Sequence, residues 1–191
     1  YLGRNPEGRG SLEGQALLPS ELWELFPSSE LEELKDWAAE KAAAGGLVLT
    51  VDTIARLEGD KPTKIGKRQL TGAADALARI GFGMAPDPRF SLRGPKIDEP
   101  VVIFQLGAVI EKLEDVSESY RAALIEIALA TLIAQADNQI LEAERHALFD
   151  QIKNADDLSE LERKRLGANL EWYLAVPPNI SLLRRKLKEA D

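Results

Sequence analysis

Between Ser119 and Ala136 only Arg121 and Glu126 carry charge, while Leu124, Ile125, Ile127, Ala128, Leu129, Leu132 and Ile133 cover well over half the circumference of the helix their spacing predicts. Such a helix persists in water only if neighbouring elements pack on most of its sides. The rest of the chain must therefore supply partner helices, and this stretch is expected to be central.

The remaining segments meet that demand. Ser29 and Glu32 stand at capping-box spacing ahead of Leu31, Leu34, Trp37 and Ala38, and Gly45-Gly46 stops the pattern. LVLTVDTIARLEGD reads as helix, with Val51, Ile54, Ala55 and Leu57 at helical spacing behind a β-branched front half. Leu70, Ala73, Ala74, Leu77 and Ile80 mark another helix ended by Gly81. FGMAPDPRFSLRGPKIDEP, crowded with X-Pro pairs, reads as a long loop, and VVIFQL opens as a short extended piece before Val109, Ile110 and Leu113 resume a helical pattern. Beyond Asp137-Asn138, Ala143, Leu148, Phe149 and Ile152 form one helix. Ser159 and Glu162 cap the next, through Leu166, Leu170 and Tyr173, until Pro177-Pro178. Asn179 caps a last helix carrying Leu182, Leu183 and Leu187. The fold class is all-α, a compact irregular bundle of about seven helices. Residues 1–18, rich in Gly and polar side chains, are expected to be flexible, and residues 19–191 to form one domain that begins with a short apolar turn at Leu22, Trp23, Leu25 and Phe26. Tyr rather than Met at position 1 leads us to expect a fragment of a longer protein.

Composition removes many kinds of chemistry. The 191 residues contain no Cys and one His, which excludes thiolate metal sites, disulfides, cysteine nucleophiles and any site needing two imidazoles. His146 follows Glu144 by two positions, but no serine elbow accompanies it, so it reads as a surface side chain rather than a general base. GDKPTKIGKR places Gly59 and Gly66 too far apart for a phosphate loop and puts Arg68 where the Mg²⁺-binding hydroxyl belongs, and GFGMAP lacks the third glycine of a dinucleotide fingerprint. No enzyme is expected.

Charge is unevenly spread. Residues 1–97 carry 13 basic and 14 acidic side chains, residues 98–162 carry 4 and 15, and residues 163–191 carry 7 and 3, for a net charge of −8. The acidic middle repels nucleic-acid phosphate and favours cations or a basic protein partner. Arg163, Lys164, Arg165, Arg184, Arg185, Lys186 and Lys188 have the composition of a phosphate-binding stripe but read rather as solvated helix faces offsetting nearby carboxylates. No apolar run approaches the roughly 18 residues of a membrane span.

One segment concentrates hard oxygen donors. ADNQILEAE joins the most apolar helix to the next, and Asp137, Asn138, Glu142 and Glu144 offer the ligand type that Ca²⁺ or Mg²⁺ takes. It is not an EF-hand, because Gln139, Leu141 and Leu148 stand where ligands belong and Glu142 where Gly belongs. A metal-free alternative accounts for the same residues: Glu142 and Glu144 suit the positive end of a helix, and Asn138 suits a left-handed turn. Both readings stay open.

The Ala-Asp ending of an apolar helix, a small turn residue, Ile140, and Glu144 seven positions after Asp137 resemble the Asp-Gly-x-Ile-x-x-x-Glu signature of the TerB family, tellurite-resistance-like helical domains of bacteria. LVLTVDTIARLEGD, GFGMAPDPRF and EPVVIF are similar to variant TerB modules inside multidomain bacterial proteins, so the resemblance covers about residues 30–175. Asn138 replaces the usual Gly, and Leu141 stands where a capping Ser or Thr is common. The resemblance implies an all-helical fold with an internal pseudo-repeat, in halves near 19–97 and 98–191, and a cation site at Asp137 and Glu144. It also implies a non-enzymatic interaction module of a stress-response or phage-defence system. Such a module is cytoplasmic, meets a membrane only through partners, and docks a protein or adjacent domains of its own chain. If a pseudo-repeat exists, Asp60 falls near Asp137, but Lys67, Arg68 and Gln69 stand where the counterpart of Glu144 would be. Tellurite itself is an oxyanion that the acidic segment repels, so any resistance would be indirect.

Overall fold

A computed structural model describes residues 29–110 and 115–190. The flexible segment expected at 1–18, the apolar turn at Leu22–Phe26 and the helical reading at Leu113 lie outside them. Within the described residues the chain runs α1 (Ser29–Ala43), β1 (Leu47–Leu49), α2 (Thr50–Glu58), α3 (Lys67–Arg79), β2 (Phe82–Ala85), β3 (Pro100–Gln105), α4 (Glu118–Ala134), α5 (Glu142–Lys153), α6 (Glu160–Ala175) and α7 (Ile180–Ala190). The fold is predominantly helical, as the periodicity predicts. No helix among the described residues is long and apolar enough to cross a membrane.

A small antiparallel sheet, ordered β1-β3-β2, refines the sequence reading at three places. The front of LVLTVDTIARLEGD is strand rather than helix: Val48 pairs with Val101, and the helix starts only at Thr50, where the amide and Oγ1 of Thr50 both donate to the Glu99 carbonyl (3.0 and 2.6 Å). The segment read as one long loop opens with β2, whose Met84 pairs with Ile103. The residues after β3 do not resume a helix at Val109 and Ile110; Gly107 turns with φ 84° and the Ile110 amide donates to the Ala78 carbonyl instead. Gly46 makes the first of these strands possible. It sits at φ 81° with its carbonyl accepting from Ile103, and a β-carbon there would run into the Ile103 backbone.

Strand β3 is buried on both faces because it divides two apolar clusters. Val101 and Ile103 join Leu34, Ala38, Ile54, Leu77 and Met84 on one side, while Val102 joins Tyr120, Leu124, Ile127, Leu166, Leu170 and Leu183 on the other. Alternation of period two along one strand thus serves both halves of the chain. Each fully buried Leu or Ile here contributes about 1.5–3 kcal/mol. Trp172 on α6 adds a directed tie, its indole N–H donating to the Pro100 carbonyl at 2.8 Å.

Helix α4 packs on α5, α6 and α7. Coverage is less complete than its composition predicts: Leu124, Ile127 and Ala128 are buried, yet Ile133 near its C-terminus is 75% exposed.

Candidate functional site

Helix α4 ends at Ala134, and the chain reverses through Asn138, the sole non-glycine residue with positive φ among those described, at 61°. A short polar side chain tolerates this left-handed turn, as the sequence predicts. The reversal leaves Asp137, Asn138, Glu142 and Glu144 all exposed.

Each of these side chains has a local setting. Leu141 occupies the N-cap of α5 and cannot cap it, so Glu144 reaches back and its Oε2 accepts the Leu141 amide at 2.9 Å. That is one half of a capping box, with the carboxylate at the positive end of the helix. Glu142 also lies in the first turn. Asp137 and Glu142 have no ion pair within 4 Å among the described residues, and no three acidic or histidine side chains there converge as a metal-holding group. His146, on the next turn, directs Nδ1 at the Glu142 carbonyl (3.1 Å) and is exposed. Leu141 is itself 63% exposed, so apolar surface at Ile133 and Leu141 brackets the acidic turn.

A second polar constellation is buried, and the sequence reading did not find it. Asp87 is 4% exposed and receives Arg89 bidentately, Nε at 2.8 Å and a terminal nitrogen at 2.6 Å, together with the Arg89 amide at 3.0 Å. Arg165 of α6, 7% exposed, donates to the same carboxylate at 3.5 Å. Both guanidinium carbons lie over the Phe90 ring, at 5.5 and 5.2 Å from its centroid. Arg165 is therefore not on a solvated face. Burial pushes its pKa down and the Asp87 charge counters that. Next to it, Asn169 donates to the Tyr120 hydroxyl (3.3 Å) and to the Arg165 carbonyl (3.0 Å), and burial raises the Tyr120 pKa. The Asp-Pro-Arg run, which favours a side-chain-closed turn, is the one local hint of this arrangement.

Glu162 forms a third node. Its Oε2 accepts both the amide and the hydroxyl of Ser117, at 2.8 and 2.7 Å, and Oε1 accepts the Ser159 amide at 3.1 Å. Ser117 caps α4 and Ser159 caps α6, so one carboxylate joins the positive ends of two helices. Partial burial works to raise its pKa, but these hydrogen bonds outweigh burial and hold it below the usual carboxylate range.

None of these groups pairs a nucleophile with a base. Asp87 is consumed by two arginines, Glu162 by two helix caps and Glu144 by one. The acidic turn stands open to solvent with Ile133 and Leu141, the two most exposed of the large aliphatic residues among those described. No protein-family model, curated protein or solved structure matches the chain.

Proposed function

We propose that the domain is a non-enzymatic interaction module, of the kind the TerB-like pattern implies for bacterial stress-response or phage-defence proteins, and that its docking surface is the turn between α4 and α5. The observation that carries this reading is the exposure of Ile133 and Leu141 beside Asp137 and Glu142, whose carboxylates make no ion pair among the described residues. Apolar side chains left in water at the turn between two packed helices favour association, and surrounding carboxylates select a basic partner. A separate groove of about 200 Å³, between the first half of α4 and the end of α5, is lined by Ala122, Ala123 and Ala155 with Glu126 and Asp157 and so also mixes apolar and acidic side chains.

An amphipathic helical peptide of leucine and lysine is a suitable probe. Backbone NMR shifts should concentrate at residues 133–145, and binding should weaken as salt rises, because exposed charge pairs are screened beyond about 8–10 Å at ordinary ionic strength. Ile133→Ser combined with Glu142→Lys should remove the response. Shifts scattered over the whole surface, or binding indifferent to both salt and the double substitution, would overturn the assignment.

A divalent ion at the turn is the second reading, supported by the oxygen-bearing side chains of Asp137, Asn138, Glu142 and Glu144, which the segment leaves exposed around the left-handed turn at Asn138. Asp137, Asn138 and Glu142 would then be the ligands, joined by the Glu144 oxygen not committed to Leu141. Millimolar Ca²⁺ or Mg²⁺ should raise the melting temperature of the unmodified chain and not that of Asp137→Ala. Identical melting curves with and without either ion would remove this reading and leave peptide docking to be judged separately.

A further inference from the structure

A cleft of about 370 Å³ lies far along the chain from the acidic turn, where the loop after β2 meets the start of α7. Arg93, Lys96, Asn179, Ser181 and Arg185 line it. In a chain of net charge −8, three cations on one concavity run against the overall field.

Their states differ in a useful way. Arg93 is fixed: its guanidinium donates to both oxygens of Glu99 (2.7 and 3.0 Å) and to the Gly94 carbonyl (2.9 Å), and lies 4.9 Å over the Trp172 ring. Glu99 absorbs most of that charge, and Arg93 serves mainly as a rigid wall. Lys96 is exposed, and among the described residues its ammonium forms no ion pair. Arg185 has only a long contact with Glu189, 3.9 Å, while Lys186 holds the same carboxylate at 2.7 Å. The Ser181 hydroxyl makes no bond among the described residues, its amide being taken by the Asn179 side chain at 2.8 Å. Lys96 and the Ser181 hydroxyl therefore face the cleft uncommitted, and Arg185 is restrained only by its long contact with Glu189.

We propose that this cleft binds a phosphoryl group, with Lys96 and Arg185 supplying the charge and Ser181 a neutral donor. A phosphoryl dianion offers several acceptor oxygens to donors arriving from different directions, and its second negative charge lets it pair the Arg185 fork and the Lys96 ammonium together, where a carboxylate brings one charge and two oxygens. The cleft has room for more than the bare ion, so a phosphomonoester and free phosphate are the two sources of the same chemistry.

Calorimetric titration of the intact chain with sodium phosphate and separately with adenosine monophosphate, at matched ionic strength, tests this. Saturable one-to-one binding of at least one of them is expected. The phosphate arm alone responding assigns the cleft to the free ion, and a tighter nucleotide assigns it to an ester. Lys96→Glu and Arg185→Gln should each weaken binding about tenfold, the loss of one charge-assisted contact. Both positions are exposed, so folding should survive, and circular dichroism checks it. Lys188→Glu, on the same helix but not lining the cleft, should leave affinity unchanged. Absence of heat for either ligand at about 10 mM, or equal weakening by Lys188→Glu, would overturn the proposal.

Discussion

Asp87 holds two guanidinium groups away from bulk water, and this sets what single substitutions do around it. Removing the shared carboxylate leaves two cations facing a nearly dry site. Removing one cation leaves a carboxylate that still has a bidentate partner. Breaking a buried pair by deleting one member costs about 3–5 kcal/mol because the other charge is left unpaired, and that penalty shrinks where a second counter-ion stays in place. Asp87→Ala should therefore destabilise the fold by about 3–5 kcal/mol, and Arg165→Met by much less, because Arg89 keeps Asp87 paired and Met can still cover the Phe90 ring. Urea unfolding of the two variants checks the order; equal losses would mean that Arg165, not Arg89, is the counter-ion that matters.

At the scale of elements, the junction of α4 and α6 gives a signed pH dependence. The pKa of Glu162 is depressed in the folded chain, so its contribution is fully present above the unfolded value, near 4.3, and is lost as pH falls through the lower folded value. Glu162→Gln should cost about 1.5–3 kcal/mol at neutral pH, the worth of hydrogen bonds to a charged group. The two proteins should converge in stability as acid protonates Glu162, visible as a flatter acid limb in the variant's melting-temperature profile. A constant gap across that range would show that the side chain acts through packing. The capping boxes and stops that place these helices are local, which is why they are legible in sequence: Ser159 with Glu162, Asn179 before α7, Gly81 after α3. The second role of Glu162 at Ser117 is not local, since 45 positions separate the pair. Two of the strands escape for a different reason. β1 spans three residues and β2 four, too few for an alternation to show, whereas the longer apolar run of β3 is legible as the extended piece at VVIFQL. The acidic turn could be located because its donors are adjacent in the chain; the Asp87–Arg165 contact, 78 positions apart, has no sequence pattern that announces it.

For the whole molecule, the question is whether the two apolar clusters melt together. They share a strand: Val101 and Ile103 point into one cluster and Val102 into the other, while Trp172 bonds to the Pro100 carbonyl across the boundary. Losing either cluster would strip β3 of one buried face and expose its apolar side chains to water, at about 1.5–3 kcal/mol for each, which couples the two. Leu77 in the first cluster and Leu170 in the second are both wholly buried, so truncating either to alanine should cost about 2–5 kcal/mol. Because the clusters are coupled, each substitution should move one sigmoidal unfolding curve to lower denaturant without splitting it. Far-ultraviolet dichroism, which reports all helices, and tryptophan fluorescence, weighted toward Trp37 beside the first cluster and Trp172 inside the second, should give coincident midpoints in both variants. If Leu170→Ala produced a curve in which the helices after β3 unfold first while the fluorescence of Trp37 holds its native value, the strand would be only a hinge. A docking module built that way would transmit nothing from the acidic turn to the α1–α3 layer, whereas a single transition makes any partner bound at the turn stabilise the entire described fold.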